Sequence, residues 1–395
     1  MIIEPKTRGF ICITSHPEGC EKSVLNQIDY IKSKGINETA KKVLVIGAST
    51  GFGLASRIAS AFGSNSSTIG VFFEKPPSEG RTASSGWYNT AAFEKEAHKE
   101  GLYAKSINGD AFSNEIKEKT LKLIKEDLGQ IDLVVYSLAS PVRTHPTTGV
   151  KHKSTLKPIG SSYTNKTVDF HTGEVKTISI EPCIEEEIEN TVAVMGGEDW
   201  EMWINALKKE NLLSSNFKTV AYSYIGPKLT EAVYRKGTIG KAKDHLEKMA
   251  FSISDSLKDI NGKAYVSVNK ALVTQSSSAI PVIPLYISLL YKVMKENGLQ
   301  EGCIEQIHRL YTERLFLEQV PTDSEGRIRI DDWEMRADIQ EKVSELWEQA
   351  STSTLSSIGD LEGYKTEFFN LFGFNYHEID YNRESNEMVN IPSLQ

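Results

Sequence analysis

The 395-residue chain carries 53 acidic and 45 basic side chains, a formal charge of −8 and a pI near 5.7, a balance that argues against a nucleic-acid partner. With 39% hydrophobic, 25% charged and 9% aromatic residues it is neither disordered nor fibrous. Glu4, Lys6 and Arg8 interrupt the start where a secretory signal needs an apolar core, and four scattered cysteines (Cys12, Cys20, Cys183, Cys303) form no disulfide framework, so a reducing, cytoplasmic address is expected.

Residues 1–42 precede the first sheet strand and are expected to pack as an extension on the core. From Val43 onward, short β-branched runs alternate with amphipathic stretches, the pattern of βαβ units and a parallel sheet. Strands are expected at 43–47, 68–74, 103–108, 131–139, 217–226 and 263–274, a set that suits an α/β, Rossmann-type doubly wound sheet. Helical periodicity falls between them, at 92–100, 115–128 and 241–257. The dinucleotide-binding and catalytic domain is placed at 43–300, with an insertion at 140–213. Within that insertion, TVDFHTGEVKTISI (167–180) alternates on either side of His171-Thr172-Gly173 and predicts a hairpin beside the sheet. Trp200 and Trp203 have helical spacing and are expected in the core of an inserted helix. The apolar run 279–293, broken by Pro281 and Pro284, is shorter than the roughly 18 to 20 residues that span a bilayer, so it should be buried in protein. Residues 301–395 form a mostly helical C-terminal extension of the same body, ending in a polar, loosely ordered segment.

The strongest local signal is VLVIGASTGFG, where Gly47, Gly51 and Gly53 follow a buried strand and open a helix. Glycines allow the tight turn and the close approach of a pyrophosphate, and the free amides at the helix start receive its charge. Ala48, Ser49, Thr50 and Phe52 complete this cofactor-binding turn. Glu74, with Phe73 before it, lies 21 residues after Gly53, near the offset of about 20 at which an acid meets the adenosine ribose. A carboxylate there accepts from a 2′-hydroxyl and repels a 2′-phosphate, which predicts NADH over NADPH; Lys75 beside it pulls the other way. Asp110 with Ala111, and Leu138 with Ala139, follow the third and fourth strands at the ligand-binding edge and are expected to contact the cofactor.

The second constellation is AYSYIGPKLTEAVYRKGTIGKAKDHLE (221–247). Tyr224 and Lys228 have YxxxK spacing, but Pro227 and a strand-like context oppose the helix that such a pair needs. Tyr234, near Lys236, Lys241 and Lys243, is the better acid, since nearby positive charge stabilises a developing anion. Cys12, His16 and Cys20 lack a fourth ligand or Cys-x-x-Cys spacing, so no metal is expected.

GASTGFG (47–53), FFEKP (72–76), SLASPVR (137–143), YSYIGP (222–227), YRKGTIGKAK (234–243) and LVTQSSSAIP (272–281) together resemble the long, monomeric trans-2-enoyl-CoA and enoyl-acyl-carrier-protein reductases, relatives of the short-chain dehydrogenases. The resemblance runs the whole chain. It implies an NADH-dependent reductase of the C2–C3 double bond of enoyl thioesters, with enoyl-CoA as the first substrate and the enoyl-acyl-carrier-protein reaction of fatty-acid synthesis as the alternative. It also implies that Tyr234 and Lys243 are catalytic, that Tyr224 contacts the substrate thioester, and that Leu272, Val273 and Thr274 line the nicotinamide side. A monomer is expected.

Nine positions along an ideal helix rotate about 900°, so one continuous helix would set Tyr234 and Lys243 on opposite faces; Gly237 and Gly240 offer a break. Lys241 remains the rival. Ile287, Leu290 and Tyr291 are placed to meet the acyl chain, the alternative being that they are core. Rival functions are a carbonyl or hydroxyl dehydrogenase using Tyr224 and Lys228, and a non-catalytic NADH-binding regulator.

Overall fold

Strand β1, Lys42–Ile46 (KVLVI), is apolar on both faces, which suits a strand covered by helices on each side. In the computed structural model, which describes every residue except 10, 279 and 395, it is followed by β2 (Ser67–Phe72), β3 (Ala104–Asn108), β4 (Ile131–Tyr136), β5 (Leu213–Ser223), β6 (Lys263–Val268) and β7 (Ile328–Arg329). All pair in parallel, in the order 7-6-5-4-1-2-3. The order reverses between β1 and β4, and in open α/β sheets the crevice at that point receives ligands.

Val43 and Val45 enter the core formed with α1 (Pro17–Ser33), α2 (Gly51–Ser64) and Ile304 and Ile307 of the helix Cys303–Leu310. Leu44 and Ile46 enter the opposite core, with Ile116 and Ile124 of α3 (Asn114–Asp127), Trp200 and Trp203 of α4 (Glu198–Lys209) and Leu246 and Ile253 of α5 (Thr238–Ser256). Each fully buried Val, Leu or Ile contributes about 1.5–3 kcal/mol, so alternation along one strand fixes both layers. The two tryptophans are fully buried, as their spacing predicts.

The predicted hairpin forms from Tyr163–Val168 and Val175–Ile180, with Val168 opposite Val175. It packs against a third apolar core built on α6 (Ile283–Glu296), α7 (Ala337–Gln349) and α8 (Leu361–Asn370). No helix among the described residues is long and apolar enough to cross a membrane. Residue 279, at the head of the expected apolar run, lies outside the described residues.

Three expectations need correction. β6 stops at Val268, short of 274, because the backbone there leaves the ladder for side-chain partners: Lys270 N donates to Gln306 Oε1 (3.0 Å) and Ala271 N to Glu334 Oε2 (2.7 Å); β2, β4 and β5 also end early, at Phe72, Tyr136 and Ser223, short of 74, 139 and 226. A seventh strand, β7, extends the expected six. Residues 375–390 form turns without helix or strand and Pro392–Leu394 a single 3-10 turn, yet both are tied down: Trp87 Nε1 donates to Val389 O (2.7 Å), and Ser393 N and Oγ both donate to the buried Glu94 carboxylate.

Candidate active site

The turn between β1 and α2 is built for close approach. Gly47 has φ +85°, and a Cβ there would lie 2.1 Å from Ser137 O; one on Gly53 would lie 1.9 Å from Gly47 O. Thr50, the N-cap of α2, is extended and makes no side-chain cap, leaving the first-turn amides directed at a ligand. The crevice is closed by Ser137 N, which donates to Ile46 O (2.8 Å). A cradle that side chains would fill, at a helix N-terminus and the sheet's switch point, fits a dinucleotide pyrophosphate.

Glu74 sits two residues beyond β2 and next to that turn. Ser49 Oγ donates to its Oε1 (2.6 Å), and Asn108 holds its backbone from both sides, accepting from Glu74 N (2.8 Å) and donating to Glu74 O (2.9 Å). A Cβ on Gly86 would lie 2.0 Å from Oε1, so the neighbouring helix must open with glycine there. Burial pushes the Glu74 carboxyl upward, and the hydroxyls of Ser49 and Ser84 oppose that. Phe73 is 78% exposed at the rim. Asp110 Oδ1 accepts from Phe112 N (3.0 Å), and the Ala111 carbonyl is pinned by Lys117 Nζ (3.0 Å) and Trp203 Nε1 (3.1 Å). Leu138 and Ala139 follow β4, half-buried and exposed respectively. All these residues line the carboxyl edge.

Tyr234 lies in a run of tight turns between β5 and α5, with its N–H bonded to Thr230 O (3.1 Å) and its carbonyl to Gly237 N (3.0 Å). Lys243 stands in the opening turns of α5, so the expected glycine break separates the two, and the helical-rotation objection falls away. At Gly240 a Cβ would lie 2.0 Å from Arg235 O and 2.6 Å from Tyr234 O. Arg235 clamps the turn to the helix through both oxygens of Glu247 (3.0 and 3.1 Å). Lys243 Nζ points inward, donating to Tyr222 O (3.3 Å), and burial lowers it to about 8, with Glu247 opposing. Lys241 is exposed and faces Asp244. Burial raises the Tyr234 phenol, first by desolvation and then by the charge of Glu334, so it stays protonated as a donor through neutral pH.

The Tyr224 and Tyr234 rings meet edge to face, centroids 4.8 Å apart at 84°. The Tyr224 hydroxyl donates to Glu334 Oε1 (3.1 Å) and Lys228 is exposed, so the YxxxK spacing produces no pair. Leu272 and Val273 are buried beside the same cluster. Ser277 holds the segment through Leu272 O (2.7 Å) and Thr274 N (2.9 Å), and Val273 N donates to Tyr291 OH (3.2 Å). Ile287, Leu290 and Tyr291 are all fully buried in the core that contains Tyr234; the Tyr291 hydroxyl donates to Glu367 (2.7 Å).

Sequence reasoning missed Glu334, Tyr286, Gln340, Lys270 and Glu367. The one available signal was RIRI (327–330), whose alternation marks a short strand that delivers Glu334 to the carboxyl edge. The expected metal-free trio also has a structural role: His16 is the N-cap of α1, accepting from Gly19 N at 3.3 Å.

Family comparisons match three regions: an NAD(P)H binding domain of trans-2-enoyl-CoA reductase at 2–79, a trans-2-enoyl-CoA reductase catalytic region at 81–316, and an enoyl reductase FAD binding domain at 322–384. The chain is 73% identical, over the full length of both, to an enoyl-[acyl-carrier-protein] reductase [NADH] of Flavobacterium johnsoniae. It is 60% identical, again over both full lengths, to a trans-2-enoyl-CoA reductase [NADH] of Ruminiclostridium cellulolyticum. The fold matches the Treponema denticola trans-2-enoyl-CoA reductase in complex with NAD with TM-score 0.94 at 52% identity, covering 98% of each chain.

Residues 322–384 do not fit a flavin. Their apolar side chains, among them Val343, Trp347, Tyr364 and Phe368, are spent on the core with α6, and Glu334 has its carboxylate filled by protein donors. Among the described residues the buried, unpartnered side-chain polar atoms fall outside this segment. The catalytic-region match spans more than half of the chain and continues the cofactor-domain match before it, so this chain belongs to the trans-2-enoyl-CoA reductase family.

Proposed function

We propose that the protein is an NADH-dependent reductase of trans-2-enoyl thioesters. The observation that carries this reading is the pairing of a dinucleotide cradle at Gly47–Gly53 with a buried phenol and a buried lysine at the same sheet edge. NADH, when bound, supplies the hydride that adds to C3. Negative charge then gathers on the thioester oxygen, where the Tyr234 hydroxyl donates a hydrogen bond and lowers the barrier. Lys243 brings a positive charge to the same region and holds the ribose side of the cofactor, and a proton reaches C2. Glu74 would hold the adenosine ribose, and 272–274 would line the nicotinamide side. Tyr224 borders the thioester with its ring.

The carrier is either coenzyme A or acyl-carrier protein. The acidic charge of the chain disfavours an acidic carrier protein, while the name of the 73%-identical Flavobacterium johnsoniae relative favours acyl-carrier protein. The four free thiols suit a cytoplasmic protein, and we read it as a monomer. NADH oxidation is to be followed with crotonyl-CoA, crotonyl-acyl-carrier protein, a β-ketoacyl-CoA and no acceptor. Turnover with the crotonyl thioesters alone supports the reading, and their ratio names the carrier. Turnover with the β-ketoacyl substrate, or binding of NADH with no turnover, overturns it.

A further inference from the structure

A buried carboxylate with no part in the proposed reaction stands against the tyrosine cluster. Glu334 follows β7 and is completely buried. Its carboxylate ties together four segments distant in sequence. Oε1 accepts from Tyr224 OH (3.1 Å) and Tyr286 OH (2.7 Å), and Oε2 accepts from Ala271 N (2.7 Å). Gln340 sets the direction of this arrangement, because its Nε2 donates both to Tyr286 OH (3.1 Å) and to Glu334 O (2.7 Å). With an amide donor on its oxygen, Tyr286 has its own proton left for Glu334, so the carboxylate faces three donors. Burial pushes the Glu334 carboxyl upward, and the three donors and the charge of buried Lys270, itself held through Ala271 O (3.1 Å) and the face of Tyr291 (4.9 Å), oppose that.

Two of the three donors lead into the reaction zone. The Tyr224 ring stands edge-on to Tyr234, and Gly226, at φ +74°, allows Tyr224 to fold back: a Cβ there would lie 2.9 Å from the Tyr224 hydroxyl. Ala271 immediately precedes 272–274.

Resting on the function proposed above, we infer that Glu334 is a positioning residue for the reduction: it anchors Tyr224 by its hydroxyl so that the ring braces Tyr234, and it anchors Ala271 so that 272–274 keep their place at the nicotinamide side. Glu334 does not accept from Tyr234, whose hydroxyl is left for the substrate. A carboxylate is needed because an amide of the same size cannot accept from three donors with two oxygens; Gln would turn an NH2 toward either Ala271 N–H or the phenols.

The test is a cycle of Glu334→Gln, Tyr224→Phe and the double variant, assayed with NADH and crotonyl-CoA, with thermal unfolding confirming that each is folded. Glu334→Gln is expected to lower kcat about tenfold or more and leave KM for NADH within about threefold. Tyr224→Phe, which keeps the ring and loses the anchor, is expected to fall by a similar factor, and the double variant should be no worse than about twofold below Glu334→Gln alone, since both remove the same Tyr224–Glu334 bond. A folded Glu334→Gln enzyme with wild-type kcat, or losses that multiply in the double, overturns the inference. If Glu334→Gln does not fold, Tyr224→Phe decides: a tenfold loss of kcat supports the anchor and wild-type kcat overturns it. A wild-type protein that does not reduce crotonyl-CoA fails the proposed function instead, and that outcome is visible before any variant is read.

Discussion

The cofactor turn and the tyrosine cluster lie at the same edge of one sheet, yet they are built in opposite ways. The turn at Gly47–Gly53 is one uninterrupted stretch, and its fit depends on the Cβ atoms missing at Gly47 and Gly53, each of which would meet backbone within about 2 Å. The cluster draws Tyr224 and Tyr234 from the region after β5, Ala271 from that after β6, Tyr286 from α6 and Glu334 from that after β7. A site made of one segment is specified by spacing. A site made of several is specified by packing, and its parts depend on one another.

This contrast can be broken at either end. The largest loss is expected at the tyrosines: Tyr234→Phe should cut kcat by about two orders of magnitude or more, the scale of losing an acid or oxyanion donor, with NADH affinity near wild type by fluorescence titration. Near-normal turnover beside a dead Tyr224→Phe would move the role to Tyr224. Gly53→Ala should act on the other site alone, raising KM for NADH at least about tenfold, because displacing Gly47 O disturbs the phosphate cradle. An unchanged KM would remove the turn from cofactor binding.

Lys243→Met is expected to cost more turnover than Lys241→Met, since only Lys243 points inward. Its ammonium is held near 8, below the ordinary lysine value, so kcat/KM of the free enzyme should fall as pH rises through about 8, and Lys243→Met should lose that limb. In stability the sign is reversed. Between about 8 and the ordinary value of 10.5 the unfolded chain binds the extra proton, so this group makes the fold more stable as pH rises. The smallest effect is at Glu74: Glu74→Ala should narrow the preference for NADH over NADPH in paired kinetics, by removing a ribose acceptor and a repulsive charge together.

What the sequence made legible follows the same division. Strands with unbroken apolar runs, such as KVLVI, and the glycine turn that follows are local, and they stand where their patterns place them. The break between Tyr234 and Lys243 was also local, set by Gly237 and Gly240. β7 has only two residues, so the RIRI alternation around it is a faint signal, and Glu334 beyond it gains its neighbours only after the sheet closes. Strand ends failed for a related reason. In 269–274 the chain keeps a strand-like composition while Gln306, Tyr291 and Glu334 take its backbone N–H groups, and none of these partners is near in sequence. Ile287 and Leu290, expected against an acyl chain or in the core, are fully buried in the core that also contains Tyr234.

The most direct measurement follows the hydrogen itself. Crotonyl-CoA is reduced with NADH carrying deuterium at both C4 positions, and the butyryl-CoA is analysed by mass spectrometry and NMR. The expected product carries one deuterium at C3 and a solvent-derived hydrogen at C2. Deuterium at C2, or label lost to water as it would be through an exchanging flavin, would contradict direct transfer to C3 beside Tyr234.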